Sequence, residues 1–291
     1  MVTDVAVTWQ RSVRNGLDVV ELETPASTCS VALHGAQVLS FAPRGEREWL
    51  WISPKARWNV GSALRGGVPI CFPWFGPHPT ERGFPAHGFA RTRVWRLAGV
   101  DEVAGERLRA VFELGADAQT TPLFPHPFTA RTTVIAGDDL QLSFEVENPG
   151  SDPFACEIAL HTYFAVSDIA AISVEGLGGC GYVDKVAGGA RRRQDDGPLH
   201  IVGEVDRVYD SAGPLTLVDP GVPRSLRLEI AGGASTVVWN PGPEKARALP
   251  DLEPDGFRRF VCIESGNVGD GRIVLPPGGR HLLSARIRGG A

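Results

Sequence analysis

A period-two alternation of apolar and polar residues is the feature that most constrains the fold of this chain. The segment LQLSFEVEN (140–148) places its apolar residues on one face and its polar residues on the other. The segments 225–230 and 108–114 repeat the pattern. Because successive side chains of a strand point to opposite faces, this pattern is typical of antiparallel strands with one buried face.

The rest of the chain extends the pattern. Further strands are predicted at 17–22, 28–33, 129–135, 154–164, 234–240, 260–264 and 281–287. The 35 glycines and 23 prolines are spread along the chain, which is typical of many short turns rather than of one linker. A short helix near 244–249 is the exception. The predicted fold class is all-β, a large antiparallel β-sandwich that forms one domain over residues 1–291.

The overall charge limits the classes of partner. A net charge of −5 and an isoelectric point near 5.8 argue against a nucleic-acid-binding protein, which needs a basic surface. Asp195 and Asp196 follow closely on the run of three arginines at 191–193. We therefore interpret that run as a solvated loop.

The cysteines and the hydropathy of the chain argue against a metal-binding, a disulfide-rich or a membrane protein. The five cysteines are scattered and form no C-x-x-C pair, so neither a zinc site nor a disulfide framework is indicated. No apolar stretch approaches the length that crosses a bilayer, and the start of the chain lacks the features of a signal peptide. We therefore expect a cytoplasmic protein that does not contact membranes. We also expect it to be a monomer.

The segment GLGGCG (176–181) matches the glycine fingerprint of dinucleotide-binding proteins letter for letter. That fingerprint functions only where it opens a helix whose N-terminus receives the pyrophosphate. The sequence YVDKVAGGARRR follows here, with two glycines and no apolar face. We interpret the segment as a glycine-rich turn.

The segment LRGGVPICFPWFGP (64–77) combines one arginine with glycines, prolines and aromatic residues. Glycines let the backbone approach a ligand closely, aromatic rings offer flat apolar faces, and Arg65 offers a planar fork for anions or hydroxyl groups. Two interpretations remain open at this point. The segment either forms the wall of a site for a polar small molecule, or is a stiff buried connection in which Arg65 pairs with an internal carboxylate.

Two strand residues are candidates for proton transfer. In the predicted strand 154–164, His161 shares a mixed face with Glu157 and Tyr163, where an imidazole is able to act as a general acid near neutral pH. A core histidine with a satisfied hydrogen bond is the alternative. Glu264 ends the segment FVCIE among apolar neighbours, and a carboxylate there is costly to bury unless it is used or paired. At a strand end it would present a base to a cleft.

The segment HGFAR (87–91) adds the imidazole of His87 and the guanidinium of Arg91 close to the loop at 64–77. His78 and His87 have no further ligand at a recognisable spacing. A metal site is therefore not expected.

Eight segments in series resemble the aldose 1-epimerase superfamily, and specifically its hexose-6-phosphate mutarotase (glucose-6-phosphate 1-epimerase) branch. They run in family order over nearly the whole chain: HGAQV (34–38), LRGGVPICFPWFGPH (64–78), HGFARTRVW (87–95), LHTYFAVSD (160–168), GLGGCGYVDK (176–185), EVDRVY (204–209), WNPGPEKA (239–246) and VCIESGNV (261–268). The resemblance implies a galactose-mutarotase-like supersandwich. It also implies an isomerase that interconverts the α and β anomers of a hexose 6-phosphate, with D-glucose 6-phosphate as the expected substrate and with no cofactor.

The resemblance also implies the catalytic roles. Glu264 matches the residue that removes the proton of the anomeric hydroxyl, and His161 matches the residue that protonates the ring oxygen. The ring then opens, the C1 aldehyde rotates, and closure from the other face reverses the proton transfers. His87 is expected to line the same pocket.

Substrate binding is implied in the same way. Arg65 and Arg91 match positions that hold the phosphate, and Asp206 matches one that contacts sugar hydroxyls. Ala86 stands where some relatives carry a glutamine, and Gly242 stands where an aromatic residue is expected, so the rim of the site is expected to differ. A mutarotase for unphosphorylated aldoses and a non-catalytic carbohydrate-binding sandwich remain as alternatives.

Overall fold

The computed structural model describes residues 7–222 and 224–290 and consists mainly of strands. In chain order the strands are β1 (Thr8–Arg14), β2 (Leu17–Glu23), β3 (Ser27–Ala32), β4 (Gln37–Pro43), β5 (Ile70–Cys71), β6 (Arg96–Val103), β7 (Arg107–Gly115), β8 (Thr129–Ala136), β9 (Leu140–Glu147), β10 (Phe154–Cys156), β11 (Ile158–Leu160), β12 (Tyr163–Ala165), β13 (Ser173–Glu175), β14 (Gly181–Asp184), β15 (Ala190–Arg193), β16 (Leu199–His200), β17 (Val205–Tyr209), β18 (Leu215–Asp219), β19 (Arg224–Ala231), β20 (Ser235–Asn240), β21 (Phe260–Asn267), β22 (Ile273–Leu275) and β23 (Arg280–Gly290). The prediction of an all-β fold is confirmed.

Helical structure is sparse in the part of the chain that the structure describes. It consists of α1 (Gly242–Ala248) and three 3-10 helices, at Ala90–Thr92, Gly256–Arg259 and Gly269–Gly271. The helix predicted near 244–249 is α1. None of these helices has the length and apolarity that a bilayer crossing requires. Residues 1–6 and 291 lie outside the described residues. They are the two ends of the predicted domain over residues 1–291, and residues 1–6 also begin the segment that was interpreted as lacking a signal peptide.

The strands form antiparallel ladders. One sheet has the order β1-β2-β3-β4, and a nine-stranded sheet has the order β16-β13-β18-β19-β23-β9-β8-β7-β6. An eight-stranded sheet has the order β15-β14-β17-β20-β21-β11-β5, with β12 also paired to β21, and β10 pairs with β22.

A continuous hydrophobic core takes side chains from both large sheets. Val261 and Ile263 of β21 are buried in this core together with Phe144 of β9. The alternate residues Cys262 and Glu264 point to the opposite face of the eight-stranded sheet. One face of this sheet therefore packs on the core, while the other is available for a site.

The stretch 154–164 was predicted as one strand, and that prediction is wrong. It is divided into β10, β11 and β12. β11 ends at Leu160, where the N–H of His161 donates to a loop carbonyl and the N–H of Thr162 donates back to the carbonyl of Leu160. The predicted division of faces survives the break, because Leu160 is in the core while His161 and Tyr163 face the opposite side.

The interpretation of the run 191–193 as a loop is also wrong, although its exposure was predicted correctly. These residues form the exposed edge strand β15, and Arg191 pairs with Asp210 at 3.0 Å and with Asp270. The glycine-rich segment 176–181 is a turn that leads into β14 rather than into a helix. The interpretation of that segment as a turn is confirmed.

Candidate active site

A cleft of about 360 Å³ opens on the face of the eight-stranded sheet that is turned away from the core. This volume lies within the range of small-molecule sites, which is roughly 300–1,000 Å³. Every residue that the sequence singled out for catalysis or binding lines the cleft: Arg65, His87, Arg91, His161, Asp206 and Glu264. The fold thus brings together residues from distant parts of the chain.

Strand register sets the order of the residues on the cleft floor. Asp206 of β17 lies opposite Trp239 of β20, and Glu264 of β21 lies opposite Val237 of β20. His161 occupies the link between β11 and β12, both of which pair with the other side of β21. Across the sheet the order is therefore Asp206, Glu264, His161.

Glu264 and His161 form a buried pair. The Nε2 atom of His161 lies 3.3 Å from Oε1 of Glu264, and the two residues are 5% and 1% exposed, respectively. The prediction that Glu264 ends its strand is wrong, because β21 continues to Asn267. Among the described residues, neither Nδ1 of His161 nor Oε2 of Glu264 has a hydrogen-bond partner. Buried polar atoms are normally paired, so this pair retains capacity to bind a polar ligand.

The surroundings shift both acid–base equilibria. Burial raises the pKa of Glu264 well above its ordinary value, and the negative charge of Asp206 acts in the same direction. Burial lowers the pKa of His161 well below its ordinary value, and the positive charges of Arg91 and Arg65 add to the effect. Both shifts disfavour the charged form of each group, so burial makes the carboxylate of Glu264 a stronger base and the imidazole of His161 a weaker base than usual.

His87 lies beside this pair in a strained turn. Its φ is +63°, and the next residue, Gly88, has a φ of +72° and a position where a Cβ atom would lie 2.0 Å from the carbonyl oxygen of Phe72. The N–H of Gly76 donates to Nδ1 of His87 at 3.3 Å. The neutral ring therefore carries its proton on Nε2. The ring centroids of His87 and His161 are 5.7 Å apart.

Burial lowers the pKa of His87 well below its ordinary value, and the charge of Arg91 acts in the same direction. His87 is thus a neutral hydrogen-bond donor rather than a cation. That state suits contact with a sugar oxygen.

Arg65 satisfies both interpretations that the sequence left open. Its Nε donates to Oδ1 of Asp251 at 2.8 Å, so it does pair with an internal carboxylate. Its Nη1 donates to the hydroxyl of Tyr163 at 3.4 Å, and its guanidinium carbon lies 5.9 Å from the ring centroid of Trp239. It nevertheless lines the cleft.

Arg91 follows the turn at His87 and lies in the 3-10 helix Ala90–Thr92. Its Nη2 donates to the carbonyl oxygen of Ala86 at 2.8 Å. The backbone of Ala86, one of the expected departures from the family, thus orients a cleft arginine, while its small side chain leaves room at the rim.

The sequence did not single out two lysines that line the cleft. Nζ of Lys185 lies 4.0 Å from Oδ1 of Asp206, and Nζ of Lys245 donates to Oε1 of Glu204 at 2.8 Å. Both lie within segments that carry the family resemblance, GLGGCGYVDK and WNPGPEKA, which is the signal that could have identified them. The lining contains four basic side chains and two carboxylates, although the protein as a whole is acidic.

The sequence profile of the family described as "Aldose 1-epimerase" matches residues 18–288. This chain belongs to the aldose 1-epimerase family. It is 36% identical over 270 residues to the "Putative glucose-6-phosphate 1-epimerase" of Escherichia coli (strain K12), with 92% of this chain and 90% of that protein covered. A protein of the same name from Cenchrus ciliaris is 33% identical over 285 residues, with coverages of 93% and 85%.

The fold comparison agrees. The crystal structure of a "putative mutarotase (YeaD)" from Salmonella typhimurium has a TM-score of 0.90 and 33% identity, and covers 100% of this aldose 1-epimerase chain and 95% of that one. The predicted galactose-mutarotase-like fold is confirmed. So is the predicted enzyme class, an isomerase that interconverts anomers. Membership of an enzyme family argues against the alternative of a non-catalytic carbohydrate-binding sandwich.

Two remaining expectations concern the rim and metals. Gly242 does not line the cleft of this aldose 1-epimerase. Its φ is +61°, and a Cβ atom there would lie 2.6 Å from the backbone nitrogen of Glu204, so the turn into α1 requires glycine. Lys245 and Leu249 line the cleft on this side instead. Within residues 7–222 and 224–290, no group of three or more His, Cys, Asp or Glu side chains is arranged to hold a metal ion.

Proposed function

We propose that this protein interconverts the α and β anomers of a hexose 6-phosphate, with D-glucose 6-phosphate as its substrate. We further propose that it acts as a cytoplasmic monomer with one domain over residues 1–291. The observation that carries the proposal is the buried Glu264–His161 pair, 3.3 Å apart, on the floor of a cleft rich in basic side chains. The names of the relatives support the same substrate.

In the proposed mechanism, the pair reacts in the form that has its one proton on His161. Ionised Glu264 then takes the proton of the anomeric hydroxyl while protonated His161 gives a proton to the ring oxygen. The C1–O5 bond breaks, and C1 becomes an aldehyde that rotates about the C1–C2 bond. Closure from the other face returns both protons. The pair carries one proton before and after the cycle, and each positioned group supplies roughly 10²–10⁴-fold.

The two arginines are proposed to hold the phosphate. Arg65 uses Nε and Nη1 for protein contacts, and Arg91 uses one Nη2 contact. A guanidinium has five N–H donors in a fixed plane, so donors remain on each for a phosphate dianion. His87 and Asp206 complete the proposed site as contacts to sugar oxygens.

One observation favours a second candidate, a mutarotase for unphosphorylated aldoses. Asp251 lies 2.8 Å from Nε of Arg65 and offsets part of its positive charge. If that offset dominates, the arginine shapes the wall of the cleft and does not select a phosphate.

The equilibration rates of purified α-D-glucose 6-phosphate and α-D-glucose, followed by NMR of the anomeric protons, test the proposal. The protein is expected to accelerate the phosphorylated sugar more strongly. Acceleration of neither sugar would contradict an epimerase of glucose or its phosphate. Equal acceleration of both would favour the second candidate.

Loss of either proposed phosphate contact should remove this preference. In Arg65→Met and Arg91→Met, kcat/KM for glucose 6-phosphate is expected to fall by about 10- to 100-fold, the scale of a charged hydrogen bond, with little change for glucose. The double variant R65M/D251N removes the unpaired carboxylate that Arg65→Met leaves behind. Arg131→Met, which changes an arginine on β8 of the other large sheet, is the control. Equal losses for both sugars would contradict a phosphate role.

The pH dependence of kcat/KM is expected to be bell-shaped, because the pair works with one proton. The lowered pKa of His161 means that the pair takes up a second proton only below pH 6.5, so activity falls on the acid side there. The raised pKa of Glu264 means that the pair keeps its one proton until a pH well above 4.5, beyond which activity falls again. A profile measured for wild type and Glu264→Gln checks this. In the variant only His161 of the pair titrates, and it must be protonated to act as the acid, so the variant should lose the acid limb and keep an alkaline limb. An acid limb above pH 6.5 would contradict it.

A further inference from the structure

Lys185 is a cleft residue that the proposed mechanism does not use. It follows β14 directly, and its N–H donates to the carbonyl oxygen of Asp206 at 2.9 Å. Its Nζ lies 4.5 Å from the ring centroid of Phe75 and 4.0 Å from Oδ1 of Asp206. The lysine and the aspartate therefore face the cleft side by side.

Phe75 holds the lysine in this position. The backbone N–H of Phe75 donates to Oε2 of Glu157 at 2.9 Å, and its ring packs edge-on against His87 with centroids 4.7 Å apart. An ammonium over an aromatic face is attracted by the ring. The aromatic segment at 64–77, which contains Phe75, thus also supports Lys185.

The separation of Lys185 and Asp206 suits a hydroxyl ligand. At 4.0 Å, Nζ and Oδ1 are too far apart for a direct hydrogen bond, which spans about 2.7–3.2 Å. A hydroxyl oxygen placed between them is able to accept from the ammonium and donate to the carboxylate. Two adjacent hydroxyls of a sugar ring offer this pattern twice.

The order of residues across the sheet indicates which hydroxyls these are. The strand order β14-β17-β20-β21-β11 places Lys185 and Asp206 on one side of Glu264 and His161 on the other. In a hexopyranose, the ring oxygen joins C1 to C5, and C5 carries C6. The other ring bond of C1 joins it to C2, which is followed by C3. With the ring oxygen at His161 and the anomeric hydroxyl at Glu264, C2 and C3 point towards Lys185 and Asp206.

The charges around the pair are consistent with this orientation. Arg91 and Arg65 are the charged groups that most lower the pKa of His161. Asp206 and Lys185 are those that act most strongly on Glu264, in opposite directions. Nη1 of Arg65 donates to the hydroxyl of Tyr163 at 3.4 Å, and the Tyr163 ring stacks on His161 with centroids 4.8 Å apart, so the phosphate end of the substrate falls on the histidine side.

We propose that Lys185 is a substrate-binding residue that, together with Asp206, binds the hydroxyl groups on C2 and C3 of the hexose. This assignment rests on the anomer interconversion proposed above. The ammonium donates to the hydroxyl oxygens while the carboxylate accepts their protons, so the pair selects sugars that carry both hydroxyls on the side facing it.

The test uses Lys185→Met, which keeps the length of the side chain and removes its charge, with Lys55→Met at an exposed position as the matched control. Lys185→Met is expected to lower kcat/KM by about 10- to 100-fold for both glucose 6-phosphate and glucose, because the contact is to the ring. Lys55→Met should leave both values unchanged. A loss confined to the phosphorylated sugar would overturn the assignment and make Lys185 a phosphate ligand.

Deoxy analogues locate the contact. The difference between wild type and Lys185→Met should shrink several-fold on 2-deoxy- or 3-deoxyglucose 6-phosphate and keep its full size on the 4-deoxy analogue. A full-size difference on both the 2-deoxy and the 3-deoxy sugars would overturn the assignment, as would unaltered kinetics of a folded Lys185→Met protein. Lys185→Arg, expected to recover part of the activity, guards against a merely structural loss. Wild-type inactivity on every sugar would instead overturn the proposed function, and this assignment with it.

Discussion

Glu264→Gln is expected to lower kcat for anomer interconversion by roughly 10²–10⁴-fold, the contribution of a positioned general base. Glutamine keeps the volume of the side chain and its place on β21, but its amide is unable to take the proton of the anomeric hydroxyl. The KM should change little. Thermal stability should hold or rise, because a carboxylate that is 1% exposed is costly to bury, whereas an amide is less so.

The measurement is the anomer equilibration rate of glucose 6-phosphate at saturating sugar, together with a thermal melt. Glu102→Gln, at an exposed position on β6 of the nine-stranded sheet, serves as the matched control and should behave as wild type. A folded Glu264→Gln protein that retains nearly full kcat would show that another group is the base.

Strands were easiest to predict from the sequence where one face of the sheet packs on the core and the other is partly exposed to solvent. In β9, buried and partly exposed residues alternate along the whole strand, so the period is visible in the letters. β21 is buried at all eight positions, and its sequence gives no sign of where the strand ends. This is why Glu264 was predicted at a strand end although it lies within the strand.

The break at 154–164 was not predictable for a different reason. The N–H of Glu157 donates to the carbonyl of Pro73, and the N–H of His161 donates to the carbonyl of Pro69. These partners lie more than eighty residues away, so no local pattern reports them. The break lets His161 face the cleft from a short link between strands.

The reactive residues of the candidate site were easier to predict than the residues that hold them in place. Arg65, His161 and Glu264 are residue types with evident chemical uses, and they stand in segments that resemble a known family. The residues that pair with them could not be predicted in this way. Asp251 is separated from Arg65 by 186 positions, and no spacing rule connects the two. Contacts of this kind arise only when the sheets are assembled.

Loss of the proposed acid is expected to be as damaging as loss of the base. His161→Gln should lower kcat by roughly 10²–10⁴-fold, because the departing ring oxygen then leaves without a proton donor. His200→Gln, at an exposed position on β16, is the matched control.

The double variant H161Q/E264Q separates a shared proton pathway from two independent contributions. Independent groups would multiply their losses, whereas groups that exchange protons with one substrate in a single cycle lose most of their effect together. Because Nε2 of His161 lies 3.3 Å from Oε1 of Glu264, we expect the double variant to be no more than a few-fold slower than the slower single variant. The rates are measured at enzyme concentrations high enough to exceed spontaneous equilibration. A double loss equal to the product of the two single losses would mean that the pair does not act as a unit.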